Sequence, residues 1–288
     1  MESDLKALAP SEFPRLLQEI PDRPKKLYLR GSLPSDSYKW LAVVGSRACS
    51  EYGRRVCRYL IEGLRNYPIV IVSGLAYGID AEAHRNALDV GLTCIGVPGS
   101  GLDWNVIYPR ANAALAREIV EKGGALLSEE EPGARQMDYM FPKRNRLMAG
   151  MSHATLVIEA KQKSGSLITA KLAADYNREL LVVPGNIFSE ESRGTHQFLR
   201  LGATAITSPE DILIALGIEK REGASSFSEM REDLSPEEIR VFEIVASPLS
   251  RDLLLEALEM PITEANVLLS TMELKGLIVE ELGVVRIR

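Results

Sequence analysis

From about residue 40 onward, short runs of apolar and β-branched residues alternate with amphipathic stretches, and a glycine-containing turn follows each apolar run. The apolar runs begin at residues 41, 69, 93, 154 and 179. Nearly continuous apolar strands that alternate with helices are typical of a parallel sheet whose two faces are both covered. The pattern therefore predicts an α/β domain with a doubly wound, mostly parallel sheet.

The pattern changes near residue 219. Residues 219–234 are polar, charged and without periodicity, which predicts a linker. Residues 235–288 predict three helices and two short strands around Gly283, which is the order of a small winged-helix domain. We therefore divide the chain into an N-terminal extension (1–40), a main domain (41–218), the linker and a C-terminal domain (235–288).

Charge is distributed unevenly between these segments. The chain of 288 residues has a formal net charge of −6, and residues 235–288 alone carry ten acidic residues against five basic ones. The third helix of the winged-helix domain presents Glu264 and Glu273, with Lys275 as its basic residue, so we expect this domain to contact protein rather than DNA phosphates. If the chain binds a polyanion, local clusters in the main domain must do so.

Composition also indicates the compartment. No apolar run approaches the roughly 20 residues needed to span a bilayer, and the first residues lack the basic and apolar regions of a signal peptide. We therefore expect a cytoplasmic protein without membrane contact. Cys49, Cys57 and Cys94 show no metal-ligand spacing, which favours buried thiols over a disulfide framework or a zinc site.

Glycines follow five of the predicted strands, at Gly45, Gly74, Gly99, Gly165 and Gly185. Ligands bind beyond the carboxyl ends of the strands in open α/β sheets, and glycines there allow backbone amides to approach an anion. None of these turns matches G-x-G-x-x-G or the P-loop G-x-x-x-x-G-K-[ST]. The sequence therefore predicts an anion site at this edge, without a dinucleotide cofactor or nucleotide hydrolysis.

Catalytic side chains are poorly represented. His84, His153 and His196 are far apart and lack a metal-ligand spacing. Asp80 is expected to cap the helix that follows it. Glu159 ends a predicted strand, but a single carboxylate is weak evidence for a general base. We predict no catalytic residue and no metal site.

Cations collect at the same edge. Arg47 follows the first strand, Arg110 follows Tyr-Pro after the third, and Lys143, Arg144 and Arg146 form a basic cluster in "FPKRNR". Ser164, Gly165 and Ser166 can offer amides and hydroxyls at a helix start, and guanidinium groups together with such donors suit phosphates. Phe141, Tyr108 and Tyr77 can stack on unpaired bases. Arg54, Arg55 and Arg58 instead lie on one helix face, where ion pairing with neighbours is expected.

Seven motifs along the chain occur in an order that is found in a known family. These are "VVGSR", "IVSGLAYGIDAEAH", "GSGLDWNVIYPRAN", "FPKRNRLMAG", "VIEAKQKSGSLITA", "VVPGN" and "FLRLGA", which follow one another between residues 43 and 203. With the entry segment "EFPRLLQEIPDRPKKLYLRG", the match covers roughly residues 20–217. Their order and spacing resemble the DprA/Smf family of DNA-processing proteins. The resemblance implies an extended Rossmann-like domain that binds single-stranded DNA without hydrolysing nucleotides, forms a homodimer and loads the RecA recombinase during natural transformation.

The resemblance also implies a binding site. The DNA-contacting residues of the family map onto Arg47, Arg110, Lys143, Arg144 and Arg146. Further members of the implied site are Ser46, Gly74, Ser164, Gly165 and Ser166, to which we add Phe141 as a base-stacking residue. We expect Asn145 to be a structural member that bonds the turn and orients Arg144 and Arg146.

Two departures and two alternatives stay open. About 40 residues precede the main domain, too few for the SAM-like domain that many family members carry. The "GLDWNVIYP" segment is at least one residue longer than the family spacing, so the placement of Arg110 departs from the family pattern. One alternative function is a Rossmann-like enzyme acting on nucleotide phosphates, similar to the phosphoribohydrolases, although their P-G-G-x-G-T loop is absent. The other is an adaptor that works through its acidic C-terminal domain.

Overall fold

The computed structural model describes residues 5–219, 234–245, 249–275, 277–281 and 283–287. The chain divides into two compact units, Met1–Lys220 and Arg221–Arg288. Most of the linker predicted at 219–234 lies outside the described residues, so that prediction is untested. The two units are considered separately below.

A nine-stranded sheet forms the centre of the first unit. In chain order its strands are β1 (Leu5–Leu8), β2 (Leu27–Gly31), β3 (Lys39–Val44), β4 (Ile69–Ser73), β5 (Thr93–Gly96), β6 (Ala125–Ser128), β7 (Ala154–Val157), β8 (Glu179–Val182) and β9 (Thr204–Ala205). In space they follow the order β1-β2-β6-β5-β4-β3-β7-β8-β9. Strands β3 to β9 pair in parallel, while β1 and β2 are antiparallel. The five predicted strands correspond to β3, β4, β5, β7 and β8, whereas β6 and β9 were not predicted.

Eight helices of the first unit are described: α1 (Arg15–Gln18), α2 (Glu51–Glu62), α3 (Ile79–Asp89), α4 (Ala113–Glu121), α5 (Met140–Met151), α6 (Ser166–Asp175), α7 (Arg193–Arg200) and α8 (Pro209–Ala215). Helices α2 and α3 pack together, as do α5 and α6. Apolar side chains fill the strands on both faces because helices cover both; Val70 and Ile71, which are adjacent in β4 and so point to opposite faces, are both fully buried. The predicted α/β class with a mostly parallel sheet is confirmed.

The strand order reverses at β3. The chain proceeds from β3 through β4 and β5 to β6 on one side, and then returns to the other side of β3 to form β7, β8 and β9. Ligands of doubly wound sheets bind near such a switch point, outside the carboxyl ends of the strands. The loops that follow β3, β4, β5 and β7 therefore hold the residues of interest.

The N-terminal segment is part of this sheet. Strands β1 and β2 extend it beyond β6, and the side chains of Leu27 and Leu29 are buried in the same core. Helix α1 packs against α5. The boundary that we predicted at residue 41 does not separate two structural units, because the apolar residues before it pack into the main core.

The structure tests two predictions on individual side chains. Cys49, Cys57 and Cys94 are buried free thiols, as predicted. On helix α2, the predicted ion pairing is confirmed for Arg54 with Glu51 and for Arg58 with Glu62, one turn away in each case. Arg55 forms no ion pair among the described residues, so the prediction is not confirmed for that side chain.

The second unit contains helices α9 (Pro236–Ile244), α10 (Arg251–Ala257) and α11 (Ile262–Leu274). Strands β10 (Leu249–Ser250), β11 (Ile278–Glu281) and β12 (Val284–Ile287) form an antiparallel sheet in the order β10-β12-β11. Ser235 caps α9 in a capping box with Glu238, as its Ser-Pro-Glu-Glu start predicted. These elements occur in the predicted order, and assignment to the winged-helix class stays a prediction.

Candidate nucleic-acid interface

A small pocket opens at the carboxyl edge of the sheet, where the loops after β3, β4 and β5 meet helix α5. Its lining residues are Arg47, Gly74, Ala76, Tyr77, Tyr108, Pro109, Phe141 and Arg144. Six of these were singled out from the sequence: Arg47, Gly74, Phe141 and Arg144 as members of the predicted site, and Tyr77 and Tyr108 as candidates for base stacking. The fold therefore brings together residues that are up to 97 positions apart.

Arg47 is the exposed cation of this pocket. Its Cζ atom lies 5.1 Å from the centre of the Phe141 ring, and the ring of Tyr108 lies 6.0 Å from that of Phe141, tilted by 51°. Stacking on an aromatic face holds a guanidinium group in place while its N–H groups remain available. This arrangement presents one positive charge beside two aromatic rings.

The position of Arg47 is fixed by the loop after β4. The amide of Ile79 donates to the carbonyl of Ser46 at 3.1 Å. Gly78, which has a φ of +71°, passes so close to the backbone of Ser46 and Arg47 that a side chain there would overlap it. The positive φ and the close approach both require glycine. Ser46 itself is buried, with its Oγ accepting from the amide of Ala48.

Arg144 lies beneath the pocket and is 7% exposed. Its Nη1 group donates to the carbonyls of Gly74, at 2.6 Å, and of Val97, while Nε has no partner among the described residues. Burial lowers the pKa of Arg144 to about 10, and the nearby carboxylate of Asp80 acts against this shift. Arg144 therefore stays protonated at neutral pH and places a second positive charge behind Arg47.

Asp80 holds the loop that contacts Arg144 beneath the pocket, a role that the sequence did not predict. We expected it to cap the helix that follows, but it lies within α3, and its Oδ2 accepts from the amide of Gly74 at 3.1 Å, in the preceding loop. Burial raises the pKa of Asp80, whereas Arg144 and the loop amides oppose that rise. Asp80 thus positions the loop that contacts Arg144.

The basic cluster in α5 does not form one surface. Lys143 pairs with Glu129 at 3.4 Å and with Glu130 at 3.0 Å. Arg146 pairs with Glu129 and donates to the carbonyl of Asp22 at 2.7 Å. Helical geometry explains the split, because successive residues point about 100° apart. Of the three cations, only Arg144 lines the pocket, while the other two pair with acidic side chains.

Asn145 connects α5 to the loop after β7. Its Nδ2 donates to the carbonyl of Gly165 at 3.2 Å, which agrees with the structural role expected for it. Helix α6 begins at Ser166, and the hydroxyls of Ser164 and Ser166 lie 2.7 Å apart. The Ser-Gly-Ser turn is thus a helix start, as predicted, tied to the basic helix by one hydrogen bond.

Arg110 lies next to the pocket and is exposed. It follows Tyr108 and Pro109, which line the pocket, and its Nη1 donates to the carbonyl of Trp104 at 2.8 Å. Asn112 holds this segment by donating to the carbonyls of Leu75 and Ala76. Neither Asn112 nor Trp104 was singled out from the sequence, since buried amides and loop aromatics carry no motif by themselves.

Glu159 occupies the N-terminus of α2, close to the switch point. Its carboxylate accepts from the amide of Ser50 at 2.9 Å and from the Ser50 hydroxyl at 2.5 Å, and it is 3% exposed. A side chain at Gly53 would overlap this carboxylate. In doubly wound sheets a ligand phosphate binds at such a helix start. Here the chain's own carboxylate fills that position. Glu159 is therefore fixed by its hydrogen bonds to Ser50 and is not placed to act as a general base.

The histidines do not assemble a catalytic group. His84 is fully buried, and burial lowers its pKa to about 4, so it is neutral at physiological pH. Nδ1 of His153 accepts from the amide of Trp40, and His196 bonds to Gly185. Among the described residues, no group of three or more His, Cys, Asp and Glu side chains could hold a metal ion. In the same part of the chain, no helix is long and apolar enough to cross a membrane.

Sequence comparisons identify relatives of the first unit. A family model described as DNA recombination-mediator protein A matches residues 5–217. Protein Smf of Escherichia coli is 45% identical over 206 residues, which cover 71% of this chain and 54% of the relative. DNA processing protein DprA of Streptococcus pneumoniae is 43% identical over 201 residues, or 70% of each chain. The match thus spans about half the length of the E. coli relative.

Comparison with solved structures also finds DNA processing proteins. DNA processing protein A from Streptococcus pneumoniae has a TM-score of 0.69 and 38% identity, covering 76% of each chain. DNA processing protein A from Helicobacter pylori, described for its single-stranded DNA binding mode, has a TM-score of 0.66 and 32% identity, covering 75% of this chain and 98% of that one.

Proposed function

The chain belongs to the DNA recombination-mediator protein A family, and on that basis we propose that it binds single-stranded DNA through the pocket at the carboxyl edge of its sheet. We further propose that it acts without catalysis, as a cytoplasmic recombination mediator that protects incoming single strands and loads RecA during natural transformation. The H. pylori relative supports the choice of ligand, because its solved structure concerns single-stranded DNA binding.

One observation carries this proposal. Arg47 is an exposed guanidinium that has no carboxylate partner among the described residues, and it is held against Phe141 beside Tyr108 and Tyr77. The buried charge of Arg144 lies behind it. Single-stranded DNA offers phosphates for the cations and unpaired base faces for the rings, and this combination of cations and aromatics is typical of proteins that bind it. Duplex DNA hides those faces.

The proposal that the protein is not an enzyme rests on the carboxylates and histidines. Glu159 is bonded to Ser50, Asp80 to the loop amide of Gly74, and His84 is buried and neutral. None of these groups is both accessible and positioned as a general base within the described part of the chain. The phosphoribohydrolase-like alternative is therefore not favoured, and the comparisons give it no support.

The remaining residues of the predicted site have different roles in the proposal. Gly74 lines the pocket and Ser46 supports the loop that holds Arg47. Asn145 joins α5 to the loop before α6, where Ser164, Gly165 and Ser166 offer donors. Arg110 continues the interface beyond Tyr108. Lys143 and Arg146 reach DNA only by leaving the carboxylates they pair with, so we expect smaller contributions from them. Homodimer formation and contact of the C-terminal unit with protein are proposed from the family resemblance and from acidic charge respectively.

Fluorescence anisotropy with labelled oligo-dT tests the ligand. The wild type is expected to bind, Arg47→Ala to bind several-fold more weakly, and Arg65→Ala to bind as the wild type does. Arg65 is a suitable control because it is exposed and precedes β4, at the opposite edge of the sheet. Competition by duplex DNA as effective as that by single strands would refute the stacking role of Phe141, and equal affinity of the wild type and Arg47→Ala would refute the site.

Two further assays test the proposed loading of RecA and the proposed absence of catalysis. RecA filament assembly on single strands already covered by a single-strand-binding protein should accelerate when this protein is added, and no acceleration would remove the loading role. Incubation with nucleoside 5′-monophosphates should release no base or phosphate. Turnover of a nucleotide by the wild type that is lost in Glu159→Ala would instead favour the enzyme alternative.

A further inference from the structure

A second group of arginines surrounds Trp104, in the loop between β5 and α4. The Cζ atom of Arg117 lies 4.3 Å from the centre of the Trp104 ring, and that of Arg30 lies 4.7 Å from it. Arg110 donates to the carbonyl of the same residue at 2.8 Å. Two guanidinium groups therefore stack on one indole, and a third bonds to the backbone of the same residue. We call Arg30, Trp104, Arg110 and Arg117 the tryptophan cluster.

The members of the cluster have different environments. Arg30 is buried on β2, where its Nε donates to the carbonyl of Leu102 and its Nη2 lies 4.0 Å from Asp103. This anchors the loop from beneath. Arg110 and Arg117 are exposed, and neither forms an ion pair with a carboxylate among the described residues. Their neighbours Glu118 and Lys122 pair with each other. The cluster thus presents two positive charges to solvent.

The cluster adjoins the pocket described above. Tyr108 and Pro109 line that pocket, and Arg110 comes directly after them. The side-chain Nδ2 of Asn112 donates to the carbonyls of Leu75 and Ala76, in the loop that forms another wall of the pocket. Arg117 lies four residues into α4, about 6 Å along the helix from its start at Ala113. A strand that leaves the pocket past Tyr108 meets Arg110 first and Arg117 next.

Stacking prepares these guanidinium groups to bind an anion. A flexible arginine loses rotational freedom when it engages a phosphate, whereas one already held against an indole loses less. Trp104 is half-buried, so its ring serves as a support for Arg117. The arrangement supplies cations at fixed positions, which is what an electrostatic groove for a nucleic-acid backbone requires.

We propose that the tryptophan cluster is a second phosphate-contacting surface, which binds the backbone of single-stranded DNA as the strand leaves the Arg47 pocket. This inference rests on the function proposed above, since it assumes that single-stranded DNA occupies the pocket. It assigns Arg117 and Arg110 to direct phosphate contacts and Trp104 to positioning Arg117. Arg30 holds the loop and is not expected to touch DNA.

Oligonucleotide length separates the two surfaces. An oligo-dT of about 6 nucleotides should fill the pocket, whereas one of about 16 should also reach the cluster, within the range of site sizes known for single-strand binding. Arg117→Gln is expected to weaken binding of the longer oligonucleotide about threefold to tenfold and to leave the shorter one unchanged. Arg65→Gln, an exposed arginine at the opposite sheet edge, is the matched control and should bind both as the wild type does.

Two further measurements distinguish binding from a structural role. Arg117→Lys keeps the charge but loses the planar stack, and should bind the longer oligonucleotide with intermediate affinity. Trp104 fluorescence should change when the longer oligonucleotide binds and not when the shorter one does. Trp40, the second tryptophan, is 5% exposed in β3 and contributes a constant background.

The outcomes separate this inference from the proposed function. If Arg47→Ala weakens binding of both lengths while folded Arg117→Gln binds both like the wild type, the pocket stands and the tryptophan cluster is overturned. If Arg47→Ala leaves both lengths unaffected, the proposed pocket itself fails. Since Arg117 is exposed, its replacement is not expected to prevent folding, and circular dichroism confirms that before each titration.

Discussion

Replacing Gly74 by alanine tests how the buried guanidinium is held. A Cβ atom at position 74 would lie 2.5 Å from Cζ and 2.6 Å from Nη2 of Arg144, and the three nearest neighbours of that Cβ are all atoms of this one side chain. Contacts this short are not tolerated, so either Arg144 moves or the loop does. Gly74 has no positive φ, so the clash with Arg144 is the main cost.

The size of the effect follows from the contacts that Arg144 loses. Its Nη1 donates to the carbonyls of Gly74 and Val97, and hydrogen bonds to charged groups contribute roughly 1.5–3 kcal/mol each. Part of this is recovered if the displaced side chain reaches water. We therefore expect Gly74→Ala to lower the free energy of unfolding by about 3 kcal/mol and to weaken oligo-dT binding as well.

A double-mutant cycle supplies the assay. Gly74→Ala, Arg144→Ala and the double variant are compared by urea denaturation. Removal of Arg144 takes away the clashing atoms, so Gly74→Ala should cost less than about 1 kcal/mol in that background, which gives a coupling energy of about 2 kcal/mol or more. Additive costs would refute the reasoning, because they would show that the glycine is needed for something other than the guanidinium.

Three further predictions concern neighbouring groups. Burial lowers the pKa of His84 to about 4, below its ordinary 6.5, so the stability that the neutral side chain contributes is complete above pH 6.5 and is lost as the pH falls through 4. The loss in unfolding free energy over this range is about 3 kcal/mol. His84→Gln should flatten the fall in unfolding free energy between pH 6.5 and 4, and an unchanged fall would contradict the role given to His84. Glu159→Ala should lower stability by about 1.5–3 kcal/mol in urea denaturation without changing oligo-dT affinity, and weaker binding would give Glu159 a role in the interface. Lys143→Gln should weaken oligo-dT binding less than Arg47→Ala does, because Lys143 already pairs with Glu129 and Glu130, and an equal loss in titrations would show that those ion pairs open on binding.

The fold of the main domain was largely readable from the sequence. Periodic apolar runs predicted the parallel strands β3, β4, β5, β7 and β8, since a strand buried on both faces leaves a continuous apolar signature. Strands β1, β2, β6 and β9 were missed. Each is short, at two to five residues, and the position of β1 and β2 in the sheet depends on the pairing of β2 with β6, which is distant in sequence.

The sequence predicted which edge of the sheet holds the pocket, but not the geometry of the side chains there. Glycines at strand ends and nearby cations pointed to the edge at which Arg47, Gly74, Phe141 and Arg144 line the pocket, and their binding of DNA stays a prediction. Sequence spacing could not show that Lys143 and Arg146 pair with acidic side chains while Arg144 is buried, because their partners Glu129 and Asp22 come from other parts of the chain. It also gave no sign that Asp80 would bond a preceding loop, since a capping residue and a loop-bonding residue look alike in sequence.

The salt dependence of oligo-dT binding tests the central claim most directly. Binding constants of the wild type, Arg47→Ala and the control Arg65→Ala are measured by anisotropy across a series of salt concentrations. Each phosphate neutralised on a single strand contributes about 0.7 to the slope of log K against log salt. The account predicts a steep slope for the wild type and for Arg65→Ala, and a slope shallower by about 0.7 for Arg47→Ala. A slope for Arg47→Ala equal to that of the wild type would contradict it.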